Sequence, residues 1–424
     1  MDLLFRLTPA MSRPASRITD LEVIPLAFSD PPLLNAAGVH EPLALRTLVR
    51  LRVGDVVAWG EGRGDALPTD VVPAVRDAVL GLDVFATSRI EAAVDAVLRR
   101  LRPEFGAQDR LISFAPIEVA AFDAQGRVLG KPVSELLGGA LREGVEYSAY
   151  LFFKWAGHLD AEPDEWGEAL DAAGIVAQAR ALIDRYRFRS IKLKAGALHP
   201  DREVEALFAL AEAFPGMPLR IDPNGAWSHE TALMVARKLE GVLEYLEDPV
   251  LGIHGMSRVH AETGLPLATN MCVVETAHIL PAVHADAVQI ILSDHHYWGG
   301  LRRTKELAAI CEAVGIGVSM HSNSHLGVSL AAMTHVAAAI PNLAYACDTH
   351  YPWNRADDVV VPGAIEIVDG AVTVPTGPGL GVEVDETRVA ELHERFHAAG
   401  RTARDDGGYM RRWDPSFTDE LPRY

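Results

Sequence analysis

From about residue 17 the chain alternates. In "ITDLEVIPLAF" apolar and polar positions interchange with a period near two, the mark of a half-buried strand. "LRTLVRLRVGDVVAWGEGRG" carries the pattern to both sides of Gly54-Asp55 and reads as a hairpin with a two-residue turn. The period then lengthens. "DVVPAVRDAVLGL", "SRIEAAVDAVLRRLR" and "SFAPIEVAAFDAQGRVLG" predict three helices, the last beginning near Ser113. Residues 17–145 are therefore expected to form an α+β unit, preceded by a leader at 1–16.

After residue 165 short apolar runs alternate with amphipathic helical stretches such as "REVEALFALAEAF", "HETALMVARKL" and "GLRRTKELAAICEAVG". The runs are "RSIKLKAG", "PLRIDPNG", "LEYLEDP", "PLATNM", "AVQIILSDHH", "GVSMHSNSH" and "AYACDTH", and each ends on a polar residue: Lys194, Asp222, Glu247, Asn270, Asp294, His321, Asp348. Successive ends lie 28, 25, 23, 24, 27 and 27 residues apart, the length of one βα unit. Seven such units predict an α/β fold closed as a parallel barrel, with "YLFFKWAG" as a first strand. This domain is placed at 146–360. The segment 361–424 returns to β structure in "GAIEIVDGAVTVP", adds the helix "ETRVAELHERFHAAG", and is expected to pack back on the first domain.

Composition narrows the partners. With 49% hydrophobic residues there is material for a large core, and a net charge of −19 argues against nucleic acid or an anionic membrane. An acidic small substrate stays open, because a local cationic pocket fits within an acidic protein. Cys272, Cys311 and Cys347 form no CxxC pair, so reduced thiols and a cytoplasmic location are expected. "LGVSLAAMTHVAAAI" falls short of the ~18 apolar residues of a membrane span and reads as a buried helix. "MDLLFRLTPAMSRPAS" is too proline-broken for a signal peptide and is expected to be a disordered leader, ahead of an alternative start at Met11.

In a parallel barrel the C-terminal strand ends carry the site. Asp222, Glu247 and Asn270 then present oxygen donors from three consecutive strands with no Cys or His among them, a set suited to Mg²⁺ rather than zinc. Any one of them alone reads more readily as a strand-end cap or turn residue; the register of all three favours a metal site. Lys192 and Lys194, at i and i+2, share a strand face. In isolation they read as two snorkelling lysines. Beside a metal, one is suited to act as a base and the other to hold a carboxylate. Asp294 and His321 on neighbouring strand ends form a pair in which the carboxylate fixes the imidazole tautomer.

The order KxK, Asp, Glu, Asn, Asp, His on successive strands resembles the enolase superfamily. Within it, "LLNAAGVHEP", "AYLFFKW", "IKLKAG", "IDPNGAWS", "EDPV", "TGLPLATNM", "SDHHYWGG", "HSNSH", "THVAAAIPN" and "DTHYPW" are most similar to the glucarate dehydratase branch. The resemblance implies a (β/α)7β barrel of the modified TIM type with an α+β capping domain. It implies a hydro-lyase that removes the proton next to a carboxylate of a dicarboxylate acid sugar and expels the β-hydroxyl. Asp222, Glu247 and Asn270 would hold Mg²⁺; Lys194 would be one base and His321, paired with Asp294, the other; Lys192 would contact the substrate carboxylate. His40, Tyr150, Asn224, Asn323, His350 and Arg404 match positions that contact the acid sugar. A homo-oligomer is also implied, although no interface is legible. One departure stands out: the family loop that supplies a substrate-contacting threonine is reduced here to "RPEFGAQDRL". Three other readings compete. One is another reaction of the superfamily, such as epimerisation or cycloisomerisation, on a different acid. Another is a zinc hydrolase barrel using His321, His325 and His350. The third is a non-catalytic acid-binding barrel.

Overall fold

The computed structural model describes residues 16–424. The expected leader thus lies outside the described residues except for Ser16, which is buried and accepts a backbone hydrogen bond from Val84 N at 2.9 Å.

The N-terminal layer is a three-stranded antiparallel sheet, β1 (Ile18–Ser29), β2 (Leu43–Val53) and β3 (Val56–Arg63), in the order β1-β2-β3. The β2–β3 turn falls at Gly54-Asp55 as expected, with Gly54 at φ 59°, a backbone that glycine adopts without strain. Helices α1 (Val72–Val79), α2 (Thr87–Leu101) and α3 (Ala107–Leu129) follow. A Cβ at Gly60 of β3 would lie 2.0 Å from the Pro116 carbonyl of α3, so glycine there lets the helix rest directly on the hairpin. Helix α3 begins at Ala107, not near Ser113. Asp109 accepts the Gly106 N–H at 2.9 Å, and its carboxylate in the first turn suits the positive end of the helix. "RPEFGAQDRL" is consequently part helix, and Gln108 sits on that helix's first turn.

Seven parallel strands form the second layer: β4 (Ala149–Phe152), β5 (Ile191–Lys194), β6 (Leu219–Asp222), β7 (Leu243–Glu247), β8 (Leu267–Thr269), β9 (Ile290–Ser293) and β10 (Gly317–Met320). They pair in chain order, and helices lie between them, as the spacing of the strand ends predicted. The register sets Tyr150, Lys192 and Arg220 side by side, and one layer higher Phe152, Lys194 and Asp222. Leu151, Leu193 and Ile221, one residue out of phase, are fully buried on the opposite face.

"AYACDTH" was expected to be a strand and is not one. It crosses the gap between β10 and β4 with isolated bridges, Val318 to Leu343 on one side and Tyr147 to Cys347 on the other. Asp348 N donates to Met320 O at 2.9 Å and Ser148 N to Cys347 O at 2.8 Å. These bonds close the barrel but are too few on either side for a continuous ladder. Below the barrel, the short strands Ile367–Val368, Ala371–Thr373 and Gly144–Glu146 make a separate small sheet. Helix α4 (Glu386–Ala399) packs on β1. The last residues go further. Arg423 donates to Ala36 O at 2.6 Å and Gly196 O at 3.1 Å, tying the tail to the cap and to the barrel mouth together.

Candidate active site

Strands β5 to β7 deliver Lys194, Asp222 and Glu247 as their last residues, and β8, β9 and β10 are followed at once by Asn270, Asp294 and His321. The first group forms a buried acid cluster. Lys192 Nζ lies 2.6 Å from Glu247 Oε2, 2.6 Å from Asp348 Oδ2 and 3.5 Å from Asp222 Oδ2. Lys194 Nζ lies 2.6 Å from Asp222 Oδ2. Asn270 donates through Nδ2 to Glu247 Oε1 at 3.0 Å, which leaves its amide oxygen available. Asp248 has a left-handed backbone (φ 36°) that turns the chain after Glu247, and its carboxylate accepts from Thr269 Oγ1 at 2.5 Å and Asn270 N at 2.8 Å.

Four buried carboxylates, Asp222, Glu247, Asp248 and Asp348, thus face two ammonium groups, while Arg220 beneath is taken up by Glu244 at 2.6 Å. The charges do not balance, and the acids register it. Burial pushes Asp222 up, but Lys194 and Lys192 hold it at about 2. Burial and the Asp222 charge push Glu247 well above the carboxylate range and Asp248 up to about 7. An excess of two negative charges on hard oxygen donors is what a divalent cation would neutralise. Asp222, Glu247 and Asn270 fit Mg²⁺ on that ground. Lys192 is fully buried; burial opposes its charge, yet Asp348 and Glu247 hold its pKa well above the usual lysine range. Lys194, with 8% of its side chain exposed, is the lysine of the pair that reaches solvent.

Across the mouth, Asp294 Oδ2 lies 2.9 Å from His321 Nδ1. A carboxylate only accepts, so Nδ1 carries the hydrogen, and in the neutral ring Nε2 keeps its lone pair. Asp294 also accepts from His296 Nδ1 at 2.7 Å, His296 N at 2.9 Å and Asn323 Nδ2 at 3.1 Å. Burial opposes its charge, but His296 and His321 hold it well below the usual range.

A cavity of about 480 Å³ opens over this ring, lined by Asn224, Asn270, Asp294 and His321 from the barrel, Gln108 from the cap and Asp419 from the tail. An adjoining cavity of about 460 Å³ is lined by Asn323 and Arg404, with Arg46 and Arg63. The other expected substrate contacts line neither and lie deeper. Tyr150 has its ring centroid 4.7 Å from Lys192 Nζ. His350 packs 4.9 Å from that ring and is hydrogen-bonded to Ser322 Oγ at 2.8 Å; burial pushes its pKa well below the usual value. His40 donates to Asp30 Oδ2 at 3.0 Å, and Arg404 reaches the same oxygen at 3.1 Å. Burial pushes Asp30 up, but His40 and Arg404 hold it at about 2.

The zinc arrangement is not assembled. His321 is held by Asp294, His325 by Thr349 Oγ1 at 3.0 Å, and His350 by Ser322. Among the described residues the group of His, Cys, Asp and Glu close enough to share a metal is Asp294, His295 and His296, and His296 Nε2 already accepts from Arg46 Nη2 at 2.9 Å. Several residues of the site escape a reading of the sequence. Asp348 had a signal, since it ends the seventh run at the common spacing. His296 stands within "SDHHYWGG", two residues after Asp294, whereas Asp30, Arg46 and Asp419 had no signal, because only the folded chain brings them to the mouth.

A family model described as "Enolase C-terminal domain-like" matches residues 174–388. A probable glucarate dehydratase of Streptomyces coelicolor is 49% identical over 96% of this chain and 99% of its own. A muconate cycloisomerase of Rhodococcus opacus is 29% identical over 77% of this chain and 82% of its own. Among solved structures, an enolase from Gibberella zeae, complexed with magnesium, formate and sulfate, superposes with a TM-score of 0.93 at 50% identity, covering 97% of this chain and 98% of that one. One from Pseudomonas fluorescens, with bound magnesium, potassium and tartrate, gives 0.93 at 47% identity, covering 96% and 99%. With half of its length matched by the family model and a relative this similar along nearly the whole chain, the protein belongs to the enolase superfamily.

Proposed function

We propose that the protein is a magnesium-dependent dehydratase of dicarboxylate acid sugars, acting on D-glucarate or L-idarate and yielding a keto-deoxy-glucarate. One observation carries this reading: Lys194 and the Asp294-held His321 stand at separate strand ends of one ring, with an under-neutralised acid cluster between them. The similarity to a probable glucarate dehydratase supports it, as does the tartrate, itself a hydroxy dicarboxylate, bound by a relative.

The hydrogen beside a carboxylate is a very weak acid, so the chemistry needs a base at the carbon and positive charge at the carboxylate oxygens. Mg²⁺ held by Asp222, Glu247 and Asn270 would supply that charge when bound. Lys192, buried and charged beneath the mouth, serves the substrate carboxylate as a fixed positive charge. Lys194 takes the α-proton of one epimer. His321 Nε2, kept as a lone pair by Asp294, takes it from the opposite face of the other. As the C–H bond breaks, its electron pair forms the new C=C bond. The β-C–O bond then breaks, with His321 as general acid: Nε2 delivers the proton it took from carbon or, where Lys194 is the base, one it has taken up beforehand from solvent, so that the hydroxyl leaves as water. The resulting enol ketonises. His40, Tyr150, Asn224, Asn323, His350 and Arg404 hold the remainder of the acid sugar, those below the cavity floor doing so by shaping it.

Bases on two faces also permit epimerisation, so a related reaction on another acid sugar is the second reading. A non-catalytic barrel would have no need of the His321 tautomer. Incubation of the stereoisomeric aldarates with protein and Mg²⁺, with NMR detection of the keto acid, tests the proposal. Formation of keto-deoxy-glucarate from glucarate and idarate is expected. No keto acid from either would overturn the assignment.

A further inference from the structure

Asp294 and His321 do not stand alone. A buried chain of hydrogen bonds runs to them from the cap. Glu61 of β3 accepts from Leu326 N at 3.0 Å and Ser329 N at 2.9 Å, so it is locked to the barrel segment that follows His321. It also accepts Arg46 Nε at 2.8 Å. Arg46 of β2 is 1% exposed and points its fork at three side chains: Nη2 donates to His296 Nε2 at 2.9 Å and to Ser329 Oγ at 3.2 Å, and Nη1 donates to Asn323 Oδ1 at 2.6 Å.

A guanidinium has hydrogens and no acceptor. His296 Nε2 must therefore present its lone pair to Arg46, and its hydrogen must sit on Nδ1, the atom 2.7 Å from Asp294 Oδ1. Asn323 must likewise present Oδ1 to Arg46, which turns its Nδ2 hydrogens toward Asp294 Oδ2. Ser329 Oγ, 2.7 Å from His296 Nε2, is placed to donate to the same lone pair. One cap residue thus sets the direction of two neighbours of Asp294. Without it, the hydrogen on His296 Nδ1 is held by Asp294 and Ser329 alone and the Asn323 amide by Asp294 alone, and a shift of either turns a lone pair on the carboxylate.

We propose that Arg46, anchored by Glu61, is a positioning residue that orients His296 and Asn323 as donors to Asp294 and so keeps His321 Nε2 free to exchange protons with substrate. The proposal rests on the reading given under Proposed function. It gives the cap a task in base chemistry as well as in enclosing the site.

The test is solvent-deuterium exchange at the α-carbon, followed by ¹H NMR with Mg²⁺ on D-glucarate and L-idarate. Lys194→Met and His321→Asn identify which epimer reports on which base. Arg46→Lys, which keeps the charge but loses the fork, and His296→Leu are expected to slow the His321-dependent exchange by about 10- to 100-fold, as loss of an outer orienting partner does elsewhere. The Lys194-dependent exchange is retained. His296→Asn, whose amide nitrogen falls near the position of Nδ1, is expected to restore the His321-dependent exchange. Equal slowing of both exchanges, or no slowing of either, would overturn the proposal. A wild-type protein that exchanges neither epimer would instead overturn the functional reading. ¹⁵N-histidine NMR stands apart from activity: His296, assigned by its absence in His296→Leu, should carry its hydrogen on Nδ1 in the wild type and lose that preference in Arg46→Lys. An unchanged tautomer in Arg46→Lys would refute the inference.

Discussion

His321 Nδ1 lies 2.9 Å from Asp294 Oδ2, and every other polar neighbour of that carboxylate is also a donor: His296 Nδ1, His296 N and Asn323 Nδ2. Asp294→Asn would place an NH₂ group among donors. The least disruptive relief is for His321 to shift its hydrogen to Nε2, which removes the base. We expect Asp294→Asn to lower His321-dependent exchange on the order of 10³-fold or more, as the same change does to other buried Asp–His pairs, with the fold intact. Exchange kinetics on the two epimers, with circular dichroism as control, checks this.

The acid cluster makes a prediction about metal. Chelation should abolish dehydration, and added Mg²⁺ should restore it and raise the melting temperature, because the cation binds the folded cluster and not the unfolded chain. Glu247→Gln, which removes one negative charge from the cluster, should weaken the Mg²⁺-induced rise. Differential scanning calorimetry in chelator and in Mg²⁺ measures both.

The barrel was legible because its rule is local. Each βα unit ends on a polar residue at nearly constant spacing, and the KxK pattern needs only the two-residue period of a strand. Three features were not local. The segment before Asp348 looks like a strand but lies between two neighbours that it only bridges. Helix α3 starts six residues early because Asp109 accepts the Gly106 N–H, a bond that the apolar pattern does not record. Arg46 reads as an ordinary strand residue, and its fork acquires meaning only when "SDHH" and "HSNSH" fold against it.

Gln108, on the first turn of α3 within "RPEFGAQDRL", lines the same cavity as Asn224 and Asn270. Gln108→Ala should change the ratio of kcat/KM between stereoisomeric aldarates by roughly fivefold to tenfold, the scale of one lost hydrogen bond. Steady-state kinetics on the aldarate series checks this, and melting temperature should stay the same.

Away from the site, His335 is buried with Nδ1 accepting from Ser134 N at 3.3 Å and Nε2 donating to Leu380 O at 3.1 Å. Burial pushes its pKa down to about 4, against about 6.5 for an unfolded histidine. Between those values the unfolded chain binds the extra proton, so this contribution is complete above pH 6.5 and is lost as pH falls toward 4, on the order of 3 kcal/mol over the window. Glu118 and Glu203, pushed up to about 7 by burial, act in the opposite sense, losing stability as pH rises, and they cancel in a comparison of wild type with variant. His335→Gln keeps an acceptor and a donor without titrating. It should show a smaller drop in melting temperature between pH 6.5 and 4.5 than the wild type.

The central claim is that Lys194 and His321 share one acid sugar between them. Lys194→Met, confirmed as folded and given Mg²⁺, is the most direct test, with keto-acid formation from glucarate and idarate followed by NMR. The expected result is loss of dehydration from the epimer whose α-proton faces Lys194, with α-proton exchange retained on the epimer that faces His321. Unchanged dehydration of both epimers by Lys194→Met would contradict the account.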